Sequence, residues 1–152
     1  MTHQAEVSGE DILRQRLRDA QFRVTPGRLR VFRALQSHAA PVTIQTLADE
    51  LTEDGLNLTT VYRVMEAFVA LSVAHPTLIG HQTVGYELVE PFRPHHDHLV
   101  CSVCGQVVDI YECGLNAALA AMSRGGGYQV EFHQVELHGV CAECSSDGNH
   151  GV

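Results

Sequence analysis

Thr59-Thr60-Val61-Tyr62-Arg63-Val64-Met65-Glu66-Ala67-Phe68-Val69-Ala70-Leu71 is the stretch on which the fold turns. Val61, Val64, Met65 and Phe68 recur at helical spacing and share one apolar face. Tyr62, Arg63 and Glu66 fall on the other side. That is the pattern of a helix packed on one side and left open on the other. The pattern is not decisive alone, because three-helix cores also occur in proteins that never touch DNA.

Working outward, three more helices precede it. Ser8 caps the first, with Glu10 and Asp11 in its opening turn and Ile12, Leu13 and Leu17 apolar. Thr25-Pro26 pairs an N-cap with a proline at the first helical position, and the helix runs to about Ser37 with Leu29, Phe32 and Leu35 buried. Thr43 caps a third helix carrying Ile44, Leu47, Ala48 and Leu51, which stops near Gly55. After the fourth helix, Val73 to Ile79 and Val84 to Val89 read as strands joined by a turn near Gly80. Helices ending in a two-stranded wing describe a winged helix-turn-helix.

The net charge of −8 argues at first against nucleic acid, but its distribution argues the other way. The chain has no lysine, and seven of its ten arginines lie between Arg14 and Arg33, opposed there only by Asp19. Seven minus one leaves about +6 over that stretch, a local field suited to phosphate. The second half holds only Arg93 and Arg124 against nine carboxylates.

Val89 to Pro94 contains two prolines and reads as a hinge. Beyond it, Leu99 to Cys101 and Val107 to Tyr111 read as strands, with a helix around Asn116 to Ser123. Gly125-Gly126-Gly127 should break the chain, and the alternation of Tyr128, Val130 and Phe132 suggests a half-buried strand within 128–140. The expected organisation is α+β: a winged-helix domain over 1–89, a hinge at 90–94, and a small α/β domain over 95–152. A domain of that size needs a metal or a partner subunit to make up for its small core.

Cys101-x-x-Cys104 and Cys141-x-x-Cys144 are two knuckles, and four thiolates match the tetrahedral geometry of a structural Zn²⁺. The 36 residues between them exceed the commonest finger spacing. Cys113 is left over and reads as a small buried residue. With no signal peptide or membrane span in view, a cytoplasmic location is expected, where thiols stay reduced and bind metal. Just before the first knuckle stands His95-His96-Asp97-His98. On an extended chain His96 and His98 share one face and His95 and Asp97 the other, which favours metal over a merely solvated turn.

These motifs, taken in order, resemble the ferric uptake regulator (Fur) superfamily of metal-dependent repressors. The resemblance runs from about Leu17 to Cys144. It rests on Val24-Thr25-Pro26-Gly27-Arg28, Thr59-Thr60-Val61-Tyr62-Arg63-Val64, Tyr86-Glu87-Leu88, His95 to Gly105, and His138-Gly139-Val140-Cys141. It implies a dimerisation domain after the hinge and a homodimer bound to double-stranded DNA, with an A/T-rich palindromic operator. Within the Thr59-Thr60 motif it implies base contacts from Tyr62 and Arg63, a minor-groove role for Arg23 and a phosphate contact from Arg28.

The resemblance also implies a regulatory metal site at Glu87, His96 and His98, with Asp109 joining in some members. A further site would use His95, Asp97 and His133, although Asn116 stands where a glutamate usually completes it. Pro41 replaces the loop histidine of the iron and peroxide sensors, with His38 three residues earlier. His75 matches a ligand of the zinc sensors, yet Val89 stands where those place a cysteine. The expected set is therefore His75 or His38 with Glu87, His96, His98 and Asp109, a nitrogen–oxygen set that suits Fe²⁺, Mn²⁺ or Zn²⁺. The absence of thiolate tilts the reading towards iron or manganese, with a zinc-uptake regulator as the alternative.

Two rival classes stand against a metal-switched repressor. An enzyme is disfavoured because neither HExxH nor the deaminase signature is present, and four cysteine ligands leave zinc no open position. A zinc-stapled module without switching explains the cysteines but leaves the Tyr62-Arg63 helix and the paired histidines without a use.

Overall fold

A computed structural model describes residues 8–79, 83–111, 114–130 and 133–146. The turn expected near Gly80, the leftover Cys113, and Glu131 and Phe132 of the alternating stretch lie outside the described residues. The chain divides into two compact units, with the division between Pro94 and His95.

The first unit is built from α1 (Gly9–Asp19), α2 (Pro26–Ser37), α3 (Ile44–Glu50), α4 (Leu58–Ala70), β1 (Ala74–Ile79) and β2 (Thr83–Leu88). Side-chain oxygens of Ser8, Thr25 and Thr43 accept from the backbone N–H three residues on, so three of the expected caps are in place. The fourth helix begins one residue before the expected start because Asn57, not Leu58 or Thr59, is its cap, accepting from the Thr60 N–H at 2.9 Å. It ends where Ser72 turns left-handed (φ 52) and the Val73 N–H reaches the Phe68 carbonyl at 2.8 Å. Leu13, Leu17, Phe32, Leu47, Met65 and Phe68 are fully enclosed in one core, and each apolar side chain of this size contributes roughly 1.5–3 kcal/mol by leaving water. A single bridge, Val42 to Tyr86, ties the segment ahead of α3 to the wing.

The stretch expected to act as a hinge is partly fastened down. The Phe92 ring meets Phe32 edge-on at 5.3 Å and lies under the Arg16 guanidinium at 5.1 Å. The Phe92 and Arg93 N–H groups both donate to the Val89 carbonyl, at 2.9 and 3.2 Å. Residues up to Arg93 thus belong physically to the first unit.

The second unit contains β3 (Asp97–Cys101), β4 (Val107–Ile110), α5 (Asn116–Gly126), β5 (Glu136–Gly139) and α6 (Ala142–Ser146). Its three-stranded sheet has the order β4-β3-β5, with β3 antiparallel to β4 and parallel to β5. β3 starts at Asp97 rather than Leu99, so the histidine run is partly strand. The triple glycine does not break α5: Gly125 and Gly126 sit in its last turn, and Gly127 at φ 72 ends it.

The long strand expected within 128–140 shrinks to Glu136–Gly139. Tyr128 and Val130 are 78% and 54% exposed, so their alternation finds no layer to pack against among the described residues. α5 likewise buries none of its side chains, and Met122 is 73% exposed. The buried set of this unit, among the described residues, is His96, Asp97, His98, Val100 and Cys101. Its centre is made of metal-ligand chemistry more than of hydrocarbon.

Candidate metal centres and DNA-facing surface

Strand pairing explains how distant cysteines meet. Cys101 ends β3, and the parallel register sets it beside Gly139 of β5, two residues before Cys141. Cys104 follows in a tight turn closed by the Gly105 N–H on the Cys101 carbonyl at 2.9 Å, with Gly105 left-handed (φ 75). The four sulfurs lie within 4.8 Å of one another, and Cys104 and Cys141 are 3.8 Å apart. A tetrahedron with zinc–sulfur bonds of about 2.3 Å has edges of about 3.8 Å. The donor set and spacing fit Zn²⁺.

The electrostatics of the cluster point the same way. Backbone N–H groups of Cys104, Cys141 and Val103 lower the Cys101 thiol to about 6. The bond with Cys141, then burial and the other thiols, pushes Cys144 up to about 12. One thiolate is welcome here and further ones repel, unless a dication neutralises them.

On β3 the side chains alternate as an extended chain requires. His96 and His98 lie on one face, both buried, with ring centroids 4.9 Å apart. The antiparallel register places Asp109 opposite His98, and its Oδ1 is 3.3 Å from His98 Nδ1. Tyr111, a residue the sequence reading passed over, lies over His96 at 5.5 Å and donates its hydroxyl to Asp109 Oδ2 at 3.2 Å.

The other face gathers His95, Asp97 and His133, with one ligand atom from each lying within 4.8 Å of the others. The His95 and His133 rings are 4.4 Å apart, and Asp97 Oδ1 lies 3.6 Å from His95 Nε2 while accepting the Val135 N–H at 3.1 Å. Two imidazoles and a carboxylate fit a divalent ion there. Asn116 is the first residue of α5.

Three sequence candidates belong to the first unit. Glu87, in β2, is buried; Thr77 donates its hydroxyl to Oε1 at 3.4 Å, and Arg93 donates to Oε2 at 3.2 Å. His75 is half-buried on β1, two residues from Thr77 and so on the same strand face. His38 has its Nε2 at 3.0 Å from Glu50, an internal partner.

The arginine-rich stretch is less available to phosphate than its composition suggests. Arg14 and Arg33 both pair with Glu10, at 2.6 and 2.7 Å. Arg16 donates to the carbonyls of Leu71 and Ser72, and Arg30 to that of Asp54. Arg28 donates to the Arg23 carbonyl and lies over the Phe22 ring at 5.1 Å. Five of the seven are therefore engaged within the fold, three of them with the carboxylates of Glu10 and Asp54 and two with backbone carbonyls, which leave their charge in place. Tyr62, Arg63 and Arg23 are exposed, as are Thr59 and Thr60, although Thr60 Oγ1 is also 3.0 Å from the capping Asn57.

Comparison with known proteins agrees with this geometry. The family model described as the ferric uptake regulator family matches residues 19–138. A ferric uptake regulation protein of Neisseria meningitidis is 27% identical over 135 residues, covering 87% of this chain and 92% of its own. A peroxide-responsive repressor PerR of Staphylococcus epidermidis is 28% identical over 141 residues, covering 88% of each. The crystal structure of the Vibrio cholerae ferric uptake regulator superposes with a TM-score of 0.66 at 28% identity, over 85% of this chain and 99% of that one. Together these establish the α+β fold with its DNA-binding and dimerisation parts. No helix among the described residues is long and apolar enough to cross a membrane. The chain belongs to the ferric uptake regulator family, whose members are metal-responsive transcription regulators and not enzymes.

Proposed function

We propose that this chain is a homodimeric repressor that binds an A/T-rich palindromic operator when a regulatory Fe²⁺ or Mn²⁺ is bound, with a structural Zn²⁺ held by Cys101, Cys104, Cys141 and Cys144. The observation that carries the reading is the buried His96–His98 pair, backed by Asp109 and free of thiol donors. Two buried imidazoles side by side gather borderline nitrogen donors in one place, a set that suits a divalent ion.

In this reading Glu87 supplies a carboxylate from the wing, with His75 or His38 as a further nitrogen donor; His75 shares a strand face with Thr77, which holds Glu87. Asp109 serves chiefly to orient His98, and His95, Asp97 and His133 form an additional site weakened by the neutral Asn116. An ion that joins the wing to the dimerisation domain favours the DNA-binding arrangement only by binding it more tightly than the alternatives. Tyr62 and Arg63 then read bases, Arg23 enters the minor groove, and the exposed Thr59 and Thr60 stand at the start of the recognition helix. The exposed Tyr128, Val130 and Met122 are the surfaces a second copy would cover.

Fluorescence anisotropy with an A/T-rich palindromic duplex tests this. Zinc-loaded protein is titrated with Mn²⁺, standing in for Fe²⁺, or separately with further Zn²⁺. Tight binding that appears only with added Mn²⁺ is expected, and His98→Ala should remove the response while leaving the dimer intact. Activation by Zn²⁺ alone would assign the chain to zinc uptake control. Equal binding with chelator and with either metal would leave a zinc-stapled DNA-binding protein without a switch.

A further inference from the structure

The carboxylate of Glu87 already has a cation. Arg93 places one guanidinium nitrogen 3.2 Å from Glu87 Oε2, with side-chain exposures of 15% and 6% for the two partners. A second nitrogen of the same guanidinium donates to the Ala39 carbonyl at 2.5 Å. Thr77, itself buried, holds the other carboxylate oxygen. Arg93 thereby joins the wing to the loop after α2, while its own N–H is tied to Val89.

From this geometry we propose that Arg93 is a built-in competitor for the regulatory metal and sets how much metal the chain requires. The inference rests on the reading of Glu87 as a metal ligand. A buried carboxylate needs partners, and the Arg93 guanidinium is a charged one. A divalent ion on Oε2 would sit about 2.0–2.2 Å from it, inside the space held by a second cation. The two positive groups repel each other strongly in a poorly solvated site. Metal uptake must therefore turn Arg93 away from Glu87, and the Ala39 carbonyl loses its donor in the same movement.

The consequence is a threshold. Part of the metal's binding free energy goes into displacing the arginine, so the observed affinity is weaker than the ligands alone would give. Release from Ala39 and Glu87 also frees the last fastened residue before the division between the two units. Arg93 acts as a positioning residue and never touches the ion.

The test uses full-length, zinc-loaded protein and Mn²⁺ alone as the probe, with binding followed by calorimetry. Arg93→Met keeps the stem and removes the charge. It should bind Mn²⁺ about tenfold or more tightly than the wild type. Its melting temperature without Mn²⁺ should fall, because Glu87 loses this ion pair, and saturating Mn²⁺ should recover most of the loss. Glu87→Gln should lose Mn²⁺ affinity whatever stands at position 93. If Arg93→Met fails to fold, Arg93→Lys replaces it; one ammonium nitrogen takes the place of the two-nitrogen fork that holds Glu87 and Ala39, and an intermediate gain is expected. Unchanged or weaker Mn²⁺ binding in the position-93 variants, with binding lost in Glu87→Gln, would overturn the competition and leave the ligand reading standing. Wild-type Mn²⁺ binding by Glu87→Gln would overturn both.

Discussion

Arg28 illustrates how a charge that composition assigns to DNA can be used inside a fold. Its guanidinium closes on the Arg23 carbonyl and the Phe22 ring, so it holds the loop that presents Arg23. Arg28→Met should lower the melting temperature and weaken operator binding, and the slope of log affinity against log salt should stay as in the wild type. A direct phosphate contact would instead reduce that slope by about one, which salt titration of the variant would reveal. Glu10 is the complementary case. Hydrogen bonds from Arg14 and Arg33 hold its carboxyl below the ordinary value of 4.5. A carboxylate lowered on folding stabilises the native state above its unfolded value, and the effect is lost as pH falls through the lowered native one. The melting-temperature gap between wild type and Glu10→Gln should therefore be constant near neutrality and close below about pH 4.5. The Glu10–Arg14 pair follows from i,i+4 spacing on one helix, whereas Glu10 and Arg33 stand 23 residues apart and meet only through helix packing.

At the scale of elements, legibility followed the strength of local chemistry. Thr25-Pro26 specifies the start of α2 unaided, because an N-cap and a φ-locked residue favour the same backbone. α4 begins one residue ahead of Thr59, because Asn57 caps it and draws Leu58 into the first turn. Asn57→Ala should cost about 1 kcal/mol in urea unfolding, as loss of a helix cap generally does. It should also weaken DNA binding, because Thr60 at the tip of the helix loses its partner. The alternation at 128–130 misled for a physical reason: period-two hydrophobicity marks a strand only where a second layer exists to bury one face. The pairing of His98 with Asp109 was implied by family likeness, whereas Tyr111 needed the strand register before it could be seen.

For the molecule as a whole, the two units differ in what holds them. The first has a continuous hydrocarbon core; the buried set of the second, among the described residues, is dominated by histidine, aspartate and cysteine chemistry. Stripping the structural zinc, or replacing Cys104 with serine, should therefore unfold the second unit selectively. Size-exclusion chromatography should show dimer giving way to monomer, while far-ultraviolet circular dichroism keeps most of the helical signal of α1 to α4. Complete loss of helicity would show instead that the first unit depends on the second. The two-part organisation was readable because it is written in residue types, apolar at helical spacing first and paired cysteines later.

The engagement of five N-terminal arginines also bears on how the protein finds its target on a chromosome. In the first unit, among the described residues, Arg18, Arg23 and Arg63 take no part in an ion pair, a side-chain hydrogen bond or a ring contact, whereas Arg16 and Arg28, also without an ion pair, are held by backbone carbonyls and rings, on a chain of net charge −8. In the proposed dimer the three unengaged arginines amount to about six guanidinium groups, a contribution to the salt slope of roughly −5. Attraction to arbitrary sequence is correspondingly weak, so the search proceeds by brief collisions more than by long excursions along the helix. On the proposed function, bulk genomic DNA would then sequester few molecules. Occupancy of the operator can then follow the metal supply promptly, with no large reservoir of bound repressor to fill or drain first.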